Sequence, residues 1–217
     1  SLLKFYLLTF VLSISLFSVG NTENEFPLDP AITYGKLENG FTYYIRENQT
    51  PKDKVSIKLI IKAGSIMEEE NQLGLAHLLE HMAFNGSKNF PKRKIDEYMS
   101  SIGLNIGSHY NASVGFLKTN YVYEIPTNND EDVEVALKIL TDISKNLSLE
   151  PEAFERERKI IEEEWRTDIG GSKNYINEFH KVMFKNSRFN ERKPIGTLDI
   201  IQNFKYQDAI DYYKKWY

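Results

Sequence analysis

Two histidines and a glutamate lie close together in the stretch that begins at Leu75, and their types and spacing could bind a metal ion. His77 and His81 are four positions apart, and Glu80 precedes the second histidine. At about 100° per residue, a helix places these three side chains on one face. Two imidazoles one turn apart can bind a cation such as zinc, and a carboxylate beside them can accept a proton from a water on that cation. This is the H-x-x-E-H order, the inverse of the H-E-x-x-H zinc motif.

The opposite face of this predicted helix is apolar, so the helix is expected to be buried. Leu75, Leu78, Leu79 and Met82 occupy that face. A histidine pair on a helix is often solvated or buried as a hydrogen-bonded pair, and a short pattern also recurs by chance. The chain has four histidines, however, and two of them are here beside a glutamate. Burial of three titratable groups without a partner costs several kcal/mol, which favours a bound metal ion.

A catalytic zinc site of this kind needs a third protein ligand, which must be His, Asp or Glu because the chain lacks cysteine. The glutamate-rich stretch after Pro151 is predicted to be a helix with an apolar face. Glu157 and Glu164 are seven residues apart within that apolar arc, where a carboxylate requires a partner. Either one is a candidate ligand, and a charged helix that merely faces water is the alternative. The arc is defined by Phe154, Ile160, Ile161 and Trp165, whereas Glu155, Glu162 and Glu163 are expected on the solvated side.

The elements that must position these side chains are predicted to be a mixture of hairpin strands and helices. Apolar patterns and turn signals predict strands over residues 33–37, 41–45, 55–63 and 119–125, and another that begins near His109 within residues 103–114. Helical periodicity predicts helices over residues 91–102, 130–147, 151–169, 175–184 and 206–217. Acidic residues and Asn71 are expected to cap the histidine helix. This order predicts an α+β fold, with an antiparallel or mixed sheet and helices packed on it.

Charge and the N-terminal residues limit what the protein binds and where it acts. The formal net charge is −4 and the basic residues are scattered, so no nucleic-acid partner is expected. An apolar run after Lys4 and a small-residue pattern at residues 18–20 predict a secretory signal over residues 1–20. An uncleaved membrane anchor is the alternative, although the run is shorter than the roughly 20 residues that span a bilayer. Residues 21–30 are interpreted as a linker and residues 31–217 as the domain of an exported protein, periplasmic or secreted.

The histidine stretch, residues 74–87, resembles the active-site helix of the pitrilysin-type inverzincin metallopeptidases, and bacterial periplasmic zinc proteases are the most similar group. Residues 156–165 are similar to the second helix of that family. The resemblance implies a zinc endopeptidase that hydrolyses peptides or small unfolded proteins. Its implied site residues are the Zn²⁺ ligands His77, His81 and Glu164, the general base Glu80 and the supporting glutamate Glu157.

Residues 107–113 and 119–121 resemble the strand pair whose edge binds the substrate backbone in that family. The resemblance implies that Asn111 and Ala112 face the peptide, and it adds Phe84 as a substrate contact. One departure is Val114, which stands where many members have Thr. Family enzymes have a second homologous half that closes over the substrate. The chain resembles an N-terminal piece of such an enzyme, so a second half or partner subunit is expected.

Two other functions compete with hydrolysis. A catalytically silent relative would bind peptides or scaffold an active partner, but such relatives have typically lost the histidines or glutamates that this chain retains. The S-ribosylhomocysteine lyases share only the motif and need a cysteine near the metal, which this chain lacks. A zinc peptidase is therefore the preferred interpretation.

Overall fold

A computed structural model describes residues 27–167 and 171–217 of the chain. The chain divides into two compact units, with the boundary between Pro51 and Lys52. The predicted signal and residues 21–26 of the predicted linker lie outside the described part. Within the described part, no helix combines the length and the apolar character that crossing a membrane requires.

The described part of the smaller unit contains a β-hairpin. Strands β1 (Ile32–Lys36) and β2 (Thr42–Arg46) pair in antiparallel fashion. At the turn, Gly40 has φ +88°, a conformation that glycine adopts without a steric penalty. The side chain of Asn39 accepts a hydrogen bond from the N–H of Phe41 at 3.1 Å. The hairpin predicted across the Asn-Gly turn is therefore confirmed.

The larger unit contains a three-stranded antiparallel sheet with the order β3–β5–β4. Its strands are β3 (Lys54–Ile61), β4 (Tyr110–Val114) and β5 (Thr119–Pro126). Alternate residues of β5 are buried, including Tyr121 and Tyr123, because successive side chains of a strand point to opposite faces. β4 lies at one edge of this sheet.

Helices make up most of the remainder of the larger unit, and the predicted α+β fold is confirmed. Two short 3₁₀ turns, Ser65–Met67 and Glu70–Gln72, precede the first helix. The sequence did not predict the helices Arg188–Glu191 and Leu198–Asn203, because they are too short to show a periodic pattern. The helices are α1 (Leu75–Met82), α2 (Lys94–Ser101), α3 (Asp130–Lys145), α4 (Pro151–Thr167), α5 (Gly171–Met183), α6 (Arg188–Glu191), α7 (Leu198–Asn203) and α8 (Tyr206–Trp216).

Two apolar clusters form the core of the larger unit. The first lies where α2 and α3 cover the sheet, and it contains Ile95, Tyr121 and Ile139. The second lies where α1 packs against α4 and α8, and it contains Leu78 and Phe154. The helix that carries the histidines is therefore part of the core.

Candidate metal centre

The apolar face of α1 holds the histidine helix in place. Leu75, Leu78 and Leu79 have no exposed surface. On the other face, the side chains of His77 and His81 keep 18% and 19% of their surface exposed. A helix of eight residues is not stable by itself in water, so packing is what maintains α1. The two imidazoles are thereby held by the core while their outer edges reach a cavity.

The buried side chain of Glu68 holds the N-terminus of α1. Glu68 accepts hydrogen bonds from the backbone N–H groups of Gly74 at 3.0 Å and Ala76 at 2.8 Å, groups that lack partners within a helix. Its backbone oxygen accepts a hydrogen bond from Arg192 Nε at 3.0 Å. The predicted cap at Asn71 is wrong, because Asn71 lies in the preceding 3₁₀ turn and the helix begins after Gly74. The sequence predicted that acidic residues ahead of the helix would cap it. Only the fold shows that Glu68 is the residue that does so.

Helix α4 brings a carboxylate to both imidazoles. Glu164 Oε2 lies 3.6 Å from His77 Nε2 and 3.8 Å from His81 Nε2. One potential ligand atom from each side chain lies within 4.8 Å of the other two. Ligand atoms at zinc-binding distance around one tetrahedral ion are roughly 3.4 Å apart. The three atoms therefore have separations that suit one shared ion.

The chemistry of this donor set fits Zn²⁺. Two imidazole nitrogens and one carboxylate oxygen form the ligand set of several catalytic zinc sites, in which a fourth position remains for water. The rings of His77 and His81 have centroids 4.8 Å apart and are nearly perpendicular, at 85°. Nδ1 of His77 is buried and has no hydrogen-bond partner within the described residues, so protein contacts alone leave this ring incompletely satisfied.

The second candidate glutamate occupies a different position. Glu157 is 6% exposed, and its Oε2 lies 3.2 Å from Nδ1 of His81. This is the ring nitrogen opposite the one that faces Glu164. The structure therefore separates the two candidates that helical periodicity left open. Glu164 faces the Nε2 atoms, and Glu157 contacts His81 from the other side.

The exposure of α4 differs from the helical prediction at two positions. Ile160 was predicted to be buried but is 41% exposed. Glu162 was predicted to be solvated, but its side chain is only 18% exposed and lies 3.7 Å from Arg166. Because α4 packs against both α1 and α7, the positions of these helices, and not the apolar residues of α4 alone, decide its buried arc.

A cavity of about 390 Å³ opens beside the three converging side chains. Edge strand β4 forms one wall through Ala112, Ser113 and Val114, and the loop residues Pro194 and Ile195 also line it. Of the predicted substrate contacts, the structure brings Ala112 to this cavity. Ser113 and the loop residues were missed as site residues, although the Pro-Ile-Gly-Thr turn that contains the loop was recognisable in the sequence.

The other two predicted substrate contacts lie outside that lining. Asn111 is exposed, and its Oδ1 accepts a hydrogen bond from the N–H of Ala112 at 3.0 Å. The ring of Phe84 lies 6.2 Å from that of Tyr110 and borders a separate cavity of about 770 Å³. The structure thus brings one of the three predicted contacts to the converging histidines and glutamate.

Comparison with known proteins identifies the family. The sequence profile described as Insulinase (Peptidase family M16) matches residues 43–192. The chain belongs to this family. The resemblance to the pitrilysin-type inverzincin metallopeptidases that the motifs indicated is thereby confirmed.

Relatives of this M16 chain include proteins of known structure. It is 36% identical over 212 residues to the probable zinc protease PqqL of Haemophilus influenzae. The aligned region covers 96% of this chain and 23% of that protein. The crystal structure of the periplasmic protease PqqL from Escherichia coli matches with a TM-score of 0.84 at 33% identity, over 88% of this chain and 21% of that one. The structure of the first half of the same protease also matches with a TM-score of 0.84, over 88% of this chain and 41% of that one. The chain therefore spans between a fifth and a quarter of the length of these full-length relatives.

Glu80 lies beside the histidines of this M16 site with a strongly altered acidity. Its Oε2 is 3.8 Å from His77 Nε2, and its side chain is 11% exposed. Burial raises the pKa of Glu80 to about 7, with His81 opposing the shift and Glu164 adding to it. A carboxyl group with a pKa near neutrality can both accept and donate a proton at neutral pH.

The surroundings shift the pKa values of the two histidines in opposite directions. Burial, and then the charge of its neighbour, lower the pKa of His77 to about 4, which keeps the ring neutral. Burial alone would lower the pKa of His81, but the hydrogen bond to Glu157 and the nearby carboxylates raise it above the ordinary value. Burial opposes the ionisation of Glu157, yet hydrogen bonds from His81 and Asn85 hold its pKa below the ordinary value. An ionised Glu157 favours a proton on Nδ1 of His81 and leaves Nε2 available.

Proposed function

We propose that this chain is the metal-binding part of a zinc-dependent endopeptidase. The observation that carries the proposal is that Glu164 of α4 meets His77 and His81 of α1 at separations suited to one ion. In the proposal these three side chains hold Zn²⁺. The names of relatives support it, since the protein from H. influenzae is a probable zinc protease and that from E. coli a periplasmic protease.

The chain's own residues would handle protons and orientation in the reaction. When bound, Zn²⁺ supplies a Lewis acid that acidifies water and polarises the carbonyl of the scissile peptide bond. Glu80 accepts the proton of the attacking water and transfers it to the nitrogen of the departing amine. Its position beside His77, with little of its side chain exposed, suits both transfers. Glu157 acts as a positioning residue, because its contact with Nδ1 orients the ring of His81.

The proposed substrate is a peptide or a small unfolded protein. An extended peptide can add as a strand to the outer edge of β4, where backbone hydrogen bonds supply affinity with little sequence preference. Ala112 lines the cavity beside the histidines, so this edge leads to the proposed metal position. Asn111 and Phe84 are proposed to contact residues farther along the peptide.

We further propose that a second homologous half, on the same chain or as a partner subunit, closes over the substrate. The E. coli relative supports this, because its structure was also solved as a first half, and the present chain covers 41% of that half. Export to the periplasm or the exterior is proposed from the signal pattern over residues 1–20. The periplasmic location stated for the E. coli relative supports it.

The test is the Glu80→Gln variant of the intact protein, assayed for zinc content and for peptide hydrolysis. Loss of a general base should lower kcat by about 10²- to 10⁴-fold while zinc content stays unchanged. The matched control is Glu163→Gln. Glu163 lies on the same helix as Glu164, but its side chain is 67% exposed, so this variant should retain activity.

Three results would contradict parts of the proposal. Unchanged turnover in Glu80→Gln would remove Glu80 from the reaction. A wild-type protein that is loaded with zinc and binds peptides without cleaving them would instead be the silent subunit. A folded wild-type protein that binds no zinc would refute the metal site itself.

A further inference from the structure

Two further side chains hold the carboxylate that contacts the back of His81. Glu157 Oε1 accepts a hydrogen bond from Asn85 Nδ2 at 3.0 Å and lies 3.4 Å from Arg156 Nε. Its Oε2 faces Nδ1 of His81 at 3.2 Å. Both oxygens of this buried carboxylate are therefore engaged, as burial of a charge requires.

Asn85 connects the two helices that carry the proposed ligands. Its Nδ2 donates to the backbone oxygen of His81 at 3.1 Å as well as to Glu157. Its Oδ1 accepts a hydrogen bond from Nη2 of Arg156. A side-chain amide has two hydrogens to donate and one oxygen to accept, and Asn85 uses all of these groups between the end of α1 and the start of α4.

Arg156 reaches this network from the surface. Its side chain is 56% exposed, and together with Asn85 it lines the cavity of about 770 Å³. Its guanidinium contacts both the carboxylate of Glu157 and the amide oxygen of Asn85. A change at Arg156 therefore alters the network without opening the core.

We propose that Asn85, oriented by Arg156, is a positioning residue for His81. It fixes the carboxylate of Glu157, which in turn fixes the imidazole so that Nε2 stays turned toward Glu164, where the metal ion would be held. The inference rests on the proposed function, because it assumes that His81 binds Zn²⁺. Groups that orient a metal-binding histidine through its other nitrogen typically contribute about 10- to 100-fold to metal affinity, and Asn85 acts on such a group.

A purely structural role for Asn85 is the alternative that the test must separate. Its bond to the backbone oxygen of His81 joins a side chain to the carbonyl four residues earlier. Asn203 makes the same kind of bond, at 2.8 Å, to the backbone oxygen of Asp199. It does so in α7, which carries none of the proposed ligands. Asn203→Ala is therefore the matched control for the loss of such a bond.

The experiment compares Asn85→Ala, Asn85→Asp, Arg156→Gln and Asn203→Ala in the intact protein. The Zn²⁺ dissociation constant is measured by competition with a chromophoric chelator, and the absorption spectrum of the Co²⁺-substituted protein reports ligand geometry. Asn85→Ala should weaken Zn²⁺ binding by about tenfold and shift the Co²⁺ bands. Asn85→Asp should have the larger effect because it loses the donor and turns a second carboxylate toward Glu157. Arg156→Gln should have a smaller effect of the same sign, and Asn203→Ala none.

Turnover provides a second measurement. In protein saturated with zinc, the Asn85 variants should lower kcat and leave KM for a peptide unchanged, because Asn85 acts through His81. Thermal unfolding of the metal-free proteins shows which variants are folded and can be interpreted. A loss of stability equal to that of Asn203→Ala, with unchanged metal affinity, would indicate a structural role only.

The outcomes distinguish this inference from the proposed function. An unchanged Zn²⁺ dissociation constant and Co²⁺ spectrum in folded Asn85→Ala would overturn the role of Asn85. If both Asn85 variants fail to fold, unchanged metal affinity in Arg156→Gln, a substitution at an exposed position, would overturn it instead. A wild-type protein without zinc affinity would refute the proposed function, whereas a zinc-binding wild type with unaffected variants would refute only this inference.

Discussion

The two helices that supply the candidate metal ligands differ in how the fold holds them. α1 has eight residues, most of them buried, whereas α4 has 17 residues and an exposed, charged outer surface. The side chains of His77 and His81 are less than one-fifth exposed, but that of Glu164 is 43% exposed. Two of the candidate ligands are therefore carried by a helix of the core, and the third reaches them from the surface.

The difference shows two ways of placing a ligand. The buried residues of α4 end at Ile161, so Glu164 lies almost one turn beyond the last of them. Its position depends on the continuity of the helix, which the burial of Phe154 and Glu157 anchors at the other end. The histidines are instead positioned by packing at their own helix. We expect substitution of a histidine in α1 to affect both stability and metal binding, and substitution of Glu164 near the end of α4 to affect metal binding alone.

The largest expected effect is the loss of zinc binding on removal of a ligand from either helix. Structural zinc sites bind with about 10 kcal/mol or more in total, so His81→Ala and Glu164→Ala should each weaken Zn²⁺ binding by at least about a hundredfold. Their effects on the metal-free protein should differ. Glu164→Ala should change the free energy of unfolding by less than about 0.5 kcal/mol. His81→Ala should lower it by about 1–3 kcal/mol, because it removes the hydrogen-bond partner of Oε2 of the buried Glu157.

Calorimetric titration with Zn²⁺ and urea unfolding of the chelated protein measure the two quantities. Equal destabilisation by both substitutions would contradict the contrast between the helices.

A smaller effect should appear at the N-terminus of α1, where Glu68 is buried. Burial raises the pKa of Glu68 to about 8 from 4.5. A raised pKa means that the protonated form is favoured in the folded state, so the contribution to stability is present at low pH and is lost as the pH rises toward about 8. The free energy of unfolding of the wild type should therefore fall from about pH 5 to pH 8 relative to that of Glu68→Gln. The substitution should also cost about 1–3 kcal/mol at pH 5, because an amide N–H replaces one acceptor.

Urea unfolding across this pH range checks the prediction, with Glu69→Gln as the control. The side chain of Glu69 is 61% exposed, so that variant should keep the pH dependence of the wild type. Parallel pH profiles for the wild type and Glu68→Gln would show that Glu68 is ionised in the folded protein at all these pH values.

The smallest effect is expected on the outer surface of α4. Arg166, whose side chain is 51% exposed, lies 3.7 Å from Glu162 and 3.4 Å from Glu163. Ion pairs with a solvent-exposed partner typically contribute less than about 1 kcal/mol. Arg166→Ala should therefore lower the free energy of unfolding by less than that and leave the Zn²⁺ dissociation constant unchanged. Urea unfolding and zinc titration measure both. A large loss of zinc affinity would mean that this end of α4 needs its surface pairs to keep Glu164 in place.

The sequence by itself determined the features that depend on neighbours within a turn or a hairpin. Helical spacing put His77, Glu80 and His81 on one face because residues three and four apart are adjacent on a helix. The Asn39-Gly40 turn determined the hairpin of β1 and β2 for a similar local reason. The same spacing narrowed the third ligand to Glu157 or Glu164 without choosing between them.

Only the tertiary structure decided which groups meet across the molecule. Helical spacing placed Glu157 and Glu164 on one predicted arc, and the packing of α1 against α4 is what turns Glu164 toward the Nε2 atoms and Glu157 toward Nδ1 of His81. No periodic pattern in the sequence predicts two of these contacts. One is the hydrogen bond that the side chain of Glu68 accepts at the start of α1, and the other joins Asn85 to Glu157, 72 positions away in the chain. The physical reason is that periodicity specifies which face of an element is buried, whereas the packing of whole helices specifies what that face touches.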